Sequence, residues 1–229
     1  MILYEIIAVI LGYLFGSIPS GLVIVKLKTG KDVRNVESGR TGGTNVMRAA
    51  GFWAGLSTAA LDVLKGFLAA WVATLIVPDN NWVHILAPIA AILGHNHSIF
   101  LLKKDENGRF KLGGGAGGAP ALGGAIGLWW PTVLIILPLG ALVFFGVGYA
   151  SIATLSVAVF AIIVFSVRLI LGAPGASFAD VVYGLAAAFL LLWALRPNMK
   201  KLSSGTERLV GISLNGWLHK RKNQRKEDS

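Results

Sequence analysis

Three glycine-rich segments interrupt an otherwise apolar chain. They are Gly16-Ser17-Ile18-Pro19-Ser20-Gly21, Glu37-Ser38-Gly39-Arg40-Thr41-Gly42-Gly43-Thr44-Asn45, and Gly113 to Gly118 with only Ala116 intervening. Glycine lets backbone N–H groups converge on an anion, and nearby cations complete such a site. Ser38, Arg40, Thr41, Thr44, Asn45 and Arg48 offer hydroxyl, amide and guanidinium donors within eleven residues. That set suits phosphate or carboxylate. A flexible linker with a helix cap at Thr44 is the competing reading, and three such segments on one membrane face weigh against it. Asp62 and Lys65 are three apart and so share a helix face. They lie one to two turns inside an apolar run, where ionisable groups are costly and are either paired or functional. A structural ion pair and direct substrate contact both fit. His95 follows Gly94 near the end of another run, with Asn96 and His97 beside it. Packing and catalysis both fit an interfacial histidine.

Several chemistries are excluded. The chain has no cysteine, so disulfides, thiol nucleophiles, thiolate metal sites and iron–sulfur clusters are out. No H-x-x-x-x-D follows any of the four histidines, so the acid/base motif of soluble-type glycerolipid acyltransferases is missing. There is no G-x-S-x-G elbow and no G-x-x-x-x-G-K-[ST] loop. No carboxylate–histidine spacing suggests a metal site, and no cofactor is expected.

The elements that must position these groups are membrane spans. Of 229 residues, 55% are hydrophobic and 14% charged, against about half and a quarter in a soluble domain. The excess falls in runs near the length of a span: 2–25, 57–77, 82–101, 114–130, 131–149, 151–171 and 177–195. The first run has no basic leader region, carries Glu5 near its start and lacks a cleavage signal, so it reads as a retained helix. Six Lys/Arg lie in 26–50, four in 102–112 and nine from Arg196 onward, while 78–81, 129–131 and 172–177 carry none. Only Lys65 and Arg168 lie inside spans. By the positive-inside rule this predicts an all-α integral membrane protein with seven transmembrane helices, N-terminus outside and C-terminus cytoplasmic. A five-span arrangement, with 114–130 re-entrant and another segment not crossing, is the alternative. The net charge of +10 is then topological and does not point to nucleic acid. Residues 1–205 read as one membrane domain and 206–229 as a basic cytoplasmic tail. That tail forms either a short interfacial helix on anionic lipid or a frayed end.

From Gly16 to Glu207 the chain resembles the membrane acyl-phosphate:glycerol-3-phosphate acyltransferases, the PlsY type. The likeness lies in the order of six motifs. The turn G-S-I-P-x-G is Gly16 to Gly21. The long motif D-[IVL]-R-x-x-x-S-G-N-x-G-A-T-N-x-x-R is met by Asp32, Val33, Arg34, Ser38, Gly39, Gly42, Thr44, Asn45 and Arg48. D-x-x-K-G is met by Asp62, Lys65 and Gly66, and G-H by Gly94 and His95. Y-x-S-[LI]-[AG]-[ST] is met by Tyr149, Ser151, Ile152, Ala153 and Thr154. N-[IM]-x-[RK]-L-x-x-G-x-E is met by Asn198, Met199, Lys201, Leu202, Gly205 and Glu207.

The resemblance implies a multi-pass protein of the cell membrane with a cytoplasm-facing site. It implies transfer of a fatty acyl group from acyl phosphate to the 1-hydroxyl of glycerol 3-phosphate, giving lysophosphatidic acid for phospholipid synthesis. It implies catalytic roles for Ser38, Asn45, His95 and Ser151. Substrate and phosphate contacts would come from Arg40, Gly42, Gly43, Thr44, Arg48, Lys65, Lys111, Gly114, Gly115, Asn198, Lys201 and Glu207. Some positions depart from the family. Ala116 stands where the family has its second lysine, Arg40 replaces an asparagine, Ala194 and Leu195 replace an R-H pair, and Lys103 to Arg109 lengthen one loop. Arg40, helped by Lys111, is the candidate to replace the lost lysine; otherwise it faces water. A relative with another acceptor or no activity, and a small-solute transporter, are the competing classes. Transporter sites lie near the midplane on broken helices, whereas the polar groups here gather near one face.

Overall fold

Proline and glycine decide where the apolar runs break. The computed structural model describes residues 1–104 and 107–227. In it the first run is two helices, α1 (Ile2–Ser17) and α2 (Ser20–Thr29). Pro19 drives Ile18 out of the helical region, to ψ 118°, and α2 stops at Gly30 with φ 69°. A 3₁₀ turn, Val33–Asn35, precedes α3 (Gly43–Ala50) and α4 (Phe52–Ile76). Next come α5 (Asn81–Asn96), capped by Asn80, then α6 (Gly118–Leu128), α7 (Thr132–Gly146) and α8 (Ala150–Ile170). Then α9 (Phe178–Ser203) opens on a Ser177/Asp180 capping box, and α10 is Leu214–Glu227.

The sequence predicts helix to Leu101, and here the structure differs. Helix α5 ends at Asn96 and the chain turns into an antiparallel hairpin, β1 (Ser98–Lys104) with β2 (Phe110–Gly113). The hairpin is an addition to the all-α expectation. Ile99, Phe100 and Phe110 favour strand, and Asn107-Gly108 with Gly108 at φ 74° is a strong hairpin signal. Asp105 and Glu106 of the lengthened loop, and Asp228 and Ser229 of the tail, lie outside the described residues. Among the described residues, four stretches have the length and composition to cross a membrane: Ile2–Thr29, Phe52–Ile76, Ala150–Ile170 and Phe178–Ser203. Helix α6 is shorter than the predicted run 114–130. Its eleven residues reach about 16 Å at 1.5 Å per residue, because Gly113 to Gly117 are not helical.

Small residues let the helices meet backbone to backbone, as membrane helices do in the absence of a hydrophobic drive between them. A Cβ on Gly66 of α4 would lie 2.1 Å from the Pro120 carbonyl oxygen of α6, and one on Gly123 would lie 1.9 Å from that of Val63. Gly12 and Gly16 of α1 approach Ala87 and Ala91 of α5 equally closely. The central core joins α5 to α9 through Ile92, Leu122, Ile136, Phe165, Tyr183 and Leu191, all buried. Tyr183 satisfies its hydroxyl on the Ala121 carbonyl at 2.7 Å.

The two ends of the bundle differ in charge as the loop pattern requires. At one end the three basic segments touch. The Thr41 N–H donates to Gly114, Arg40 to Ala194, and Arg208 pairs with Glu37. At the other end the junctions without Lys or Arg meet. Asn81 donates to Ser177, and Arg168 lies 4.2 Å over the Trp129 ring and donates to the Pro174 carbonyl.

The close crossing of α4 and α6 makes a sharp forecast. Gly66→Ala should destabilise the protein by at least about 1–3 kcal/mol. Gly146→Ala, where a new Cβ meets nothing within 4 Å, should be neutral or slightly stabilising. Thermal unfolding of the purified protein in detergent compares them.

Candidate active site

The second glycine segment is folded by its own short-range chemistry. Asp32 caps the 3₁₀ turn and holds the Arg34 guanidinium at 2.6 Å. Gly39, at φ 68°, closes a tight turn by donating to the Val36 carbonyl. Glu37 sits in the left-handed region at φ 47°, held by its ion pair with Arg208. Beneath the loop, Asn45 projects from the first turn of α3. Its amide nitrogen lies within reach of three carbonyls, those of Arg40 at 2.8 Å, Val36 at 3.0 Å and Val33 at 3.2 Å. Asn45 is buried, and these bonds tie the loop to the helix.

Lys65, Asp62 and His95 form a second unit, also buried. The Lys65 ammonium lies 2.9 Å from Asp62 Oδ1, 2.8 Å from His95 Nδ1 and 3.1 Å from the Ile18 carbonyl at the α1–α2 break. With Asp62 as counter-ion the ammonium offers only donors, so Nδ1 accepts and the ring hydrogen belongs on Nε2. Gly115 packs on that nitrogen; a Cβ there would lie 2.0 Å from Nε2. The Gly115 N–H also donates to the His95 carbonyl at 2.8 Å. Gly114 and Gly115 therefore pack against α5, and it is Ala116 to Ala119 that reach the cavity described below.

A third unit comes from the chain's end. The Glu207 carboxylate accepts from Ser151 Oγ at 2.8 Å and from Asn198 Nδ2 at 3.1 Å. The segment around it is pinned back, since the Val210 N–H donates to the Gly148 carbonyl at 2.8 Å. Thr206 to Arg208, expected in the tail, thus belong to the site.

These units enclose one cavity of about 560 Å³ with two unlike halves. Ser38, Arg40, Gly42, Gly43, Thr44, Asn45, Arg48, His95, Asn198, Lys201 and Glu207 line the polar half, together with Asp62. The starts of α3 and α6, at Gly42 to Thr44 and Gly117 to Ala119, open onto it. Helix N-termini present free N–H groups and a positive dipole end, which suits an anion. Burial pulls the Arg40 guanidinium below its ordinary range while the Glu207 charge acts the other way, and an arginine stays charged regardless. The apolar half is made by Phe52 and Leu56 of α4, Leu122 of α6, and Leu137, Phe144 and Phe145 of α7, with Val157 of α8 beyond.

Some predicted residues stand elsewhere. Lys65 lies behind the wall, buried among its partners, and Ser151 behind Glu207. Lys111 lines a separate hollow with Trp193 and Lys200, so it does not join Arg40. The apolar wall was not foreseen. Its signal is the i, i+4 rows Ile136–Gly140–Phe144 and Leu137–Ala141–Phe145, in which small residues leave a groove between bulky ones.

A bundle with membrane-length helices around a cavity that is polar and arginine-bearing at one end and apolar at the other defines a membrane protein with a two-part site. The sequence profile described as glycerol-3-phosphate acyltransferase matches residues 6–205, and the chain belongs to that family. It is an integral membrane acyltransferase. It is similar to the glycerol-3-phosphate acyltransferases of Thermus thermophilus, 37% identical over 88% of this chain and 93% of that one, and of a Synechococcus, 36% identical over 92% and 98%. It also matches crystal structures of PlsY, an integral membrane glycerol 3-phosphate acyltransferase. The glycerol 3-phosphate form gives a TM-score of 0.73 at 31% identity, covering 90% of this chain and 94% of that one. The form with lysophosphatidic acid gives 0.71 at 29%, covering 91% and 96%.

The buried pair supports a stability test. Removing one partner of a buried ion pair costs about 3–5 kcal/mol, whereas an apolar replacement of both is often near neutral. Lys65→Met should therefore lower thermal stability more than the double variant Asp62→Leu/Lys65→Met. Equal stability of Lys65→Met and wild type would show that the pair holds nothing together.

Proposed function

We propose that the protein transfers a fatty acyl group from acyl phosphate to the 1-hydroxyl of glycerol 3-phosphate, giving lysophosphatidic acid and phosphate. The observation that carries this reading is the two-part cavity, with anion donors at one end and an apolar groove at the other. Acyl phosphate is a mixed anhydride with a good leaving group. The site therefore has to orient a hydroxyl and stabilise charge, with no strong nucleophile of its own.

In this scheme the acyl chain lies in the groove bounded by α4, α6, α7 and α8. Its phosphate faces the N-termini of α3 and α6, with Arg40 and Arg48. Glycerol 3-phosphate enters on the polar side, where Ser38, Asn198 and Lys201 offer donors. The glycerol oxygen attacks the acyl carbonyl carbon, the carbon–oxygen bond to phosphate breaks, and the departing phosphate takes the hydroxyl proton. His95, with its hydrogen on Nε2, supports the glycine segment and acts as a donor, not as a base. Asn45, Gly42, Gly43 and Thr44 shape the loop that carries Ser38 and Arg40.

Radiolabelled glycerol 3-phosphate with palmitoyl phosphate and purified protein should yield labelled lysophosphatidic acid. Ser38→Ala should cut turnover more than tenfold, since losing one preorganised donor costs about 2.7–4 kcal/mol, and Asn45→Ala should cut it more than tenfold by releasing the loop that carries Ser38 and Arg40 from α3. Arg40→Asn should nearly abolish activity, and adding Ala116→Lys, which puts an ammonium on the cavity wall, should restore part of it. Unchanged kinetics for Arg40→Asn with both substrates would remove Arg40 from the phosphate site.

Seven spans, an outside N-terminus and a cytoplasmic site complete the proposal. The meeting of the three basic segments at one end supports it, because basic loops stay inside. Asp79 is exposed beside Asn80, and Ser203 is exposed at the other end. In this cysteine-free chain, Asp79→Cys should react with an impermeant thiol reagent in intact cells and Ser203→Cys only after permeabilisation. Labelling of Ser203→Cys in intact cells would reverse the orientation.

A further inference from the structure

A second hollow, of about 640 Å³, shares no lining residue with the active-site cavity and has His97, Lys111, Trp193, Arg196 and Lys200 on its walls. Helix α9 has two faces here. Leu191 and Leu195 are buried, and Leu195 and Asn198 line the active site. Leu185, Phe189, Trp193, Arg196 and Lys200 are exposed, and at 100° per residue they fall within about a third of the circumference. Leu185, Phe189 and Trp193 follow at i, i+4 and i+8, and each stays at least 49% exposed. A stripe of large apolar side chains thus runs along the helix and ends among cations.

Arg196 is fixed in place by neighbouring chemistry. Pro197 has no N–H for the Trp193 carbonyl, and Arg196 Nε donates to that carbonyl instead at 3.0 Å. The guanidinium lies over the Trp193 ring, 3.4 Å from its centroid, and Trp193 in turn stacks on Phe189. Lys111 comes from a different element, strand β2. Two elements therefore bring basic groups to the end of one apolar stripe, with a tryptophan at the junction. That arrangement matches a lipid at the headgroup level, where tryptophan and basic residues sit.

We propose that this hollow binds the anionic phosphate headgroup of a membrane phospholipid whose acyl chains lie along Leu185, Phe189 and Trp193. The stripe gives the site an amphiphile for its ligand, which distinguishes a lipid from free phosphate. The same turns of α9 carry the Ala194 carbonyl that Arg40 holds at 2.5 Å, so a lipid bound outside braces the wall of the active site.

The test counts lipids retained by the purified full chain, by native mass spectrometry, in detergent supplied with phosphatidylglycerol or with phosphatidylcholine of the same chains. Wild type should retain phosphatidylglycerol at least tenfold better. Arg196→Gln/Lys200→Gln should lose about twenty-five-fold of that retention, roughly fivefold for each basic residue facing anionic lipid. The charge-preserving pair Arg196→Lys/Lys200→Arg should keep most of it. If the glutamine pair fails to fold, Lys111→Gln on the surface hairpin should lose about fivefold by the same measure. Unchanged phosphatidylglycerol retention in the glutamine variants would overturn the proposal. So would displacement of the lipid by inorganic phosphate at equal concentration, which would mark a free-anion site.

Discussion

The Lys65 ammonium is the interaction on which the site depends. A charge inside a helical bundle is tolerated only when every donor is satisfied. Lys65 meets that condition with partners from three places: Asp62 one turn away on α4, His95 on α5 and the Ile18 carbonyl where Pro19 breaks the first helix. The broken helix thus supplies an acceptor that an intact helix would have spent on itself. His95, fixed through Nδ1, then offers the surface on which Gly115 packs, and Gly114 receives the Thr41 N–H. A single buried charge therefore sets the spacing between the first helix pair, α4, α5 and two glycine segments.

Glycine has two distinct uses in this chain. At Gly66, Gly123, Gly12 and Gly16 its lack of a side chain lets helices touch, which gives the bundle its rigidity. At Gly42 and Gly117 it stands just before a helix start that opens on the cavity, where exposed N–H groups are useful. Short helices serve this second purpose well. The N-termini of α3 and α6 both open on the polar half of the cavity, with an apolar groove beside them. An acyltransferase of this family must join one water-soluble and one lipid substrate, and a cavity divided in this way lets each stay near its own phase.

The C-terminal segment changes the picture of where the site ends. Glu207 holds Ser151 on α8 and Asn198 on α9 with one carboxylate, and Arg208 reaches across to Glu37 in the first loop. Residues remote in sequence thereby come together at the cavity. The backbone bond from Val210 to Gly148 and the donation by Asn215 to the Val147 carbonyl hold that segment against the corner between α7 and α8.

The sequence by itself determined the membrane character, the alternate-loop charge pattern and the motif order that marks the family, because apolar runs and basic flanks act locally and need no knowledge of the fold. It also determined most members of the polar half, since Ser38 to Arg48 are close in sequence and remain close in space. The β-hairpin was legible in Asn107-Gly108 but masked by the apolar run before it. Tertiary structure alone decided the rest. Asn45, Ser151 and Lys65 carry donor chemistry in the sequence, yet their hydrogen bonds are directed to the chain itself, and only packing shows which way a donor points. Lys111 and Arg40, joined by charge in the sequence, line separate hollows. The apolar groove comes from four helices, and no single segment contains enough of it to be read.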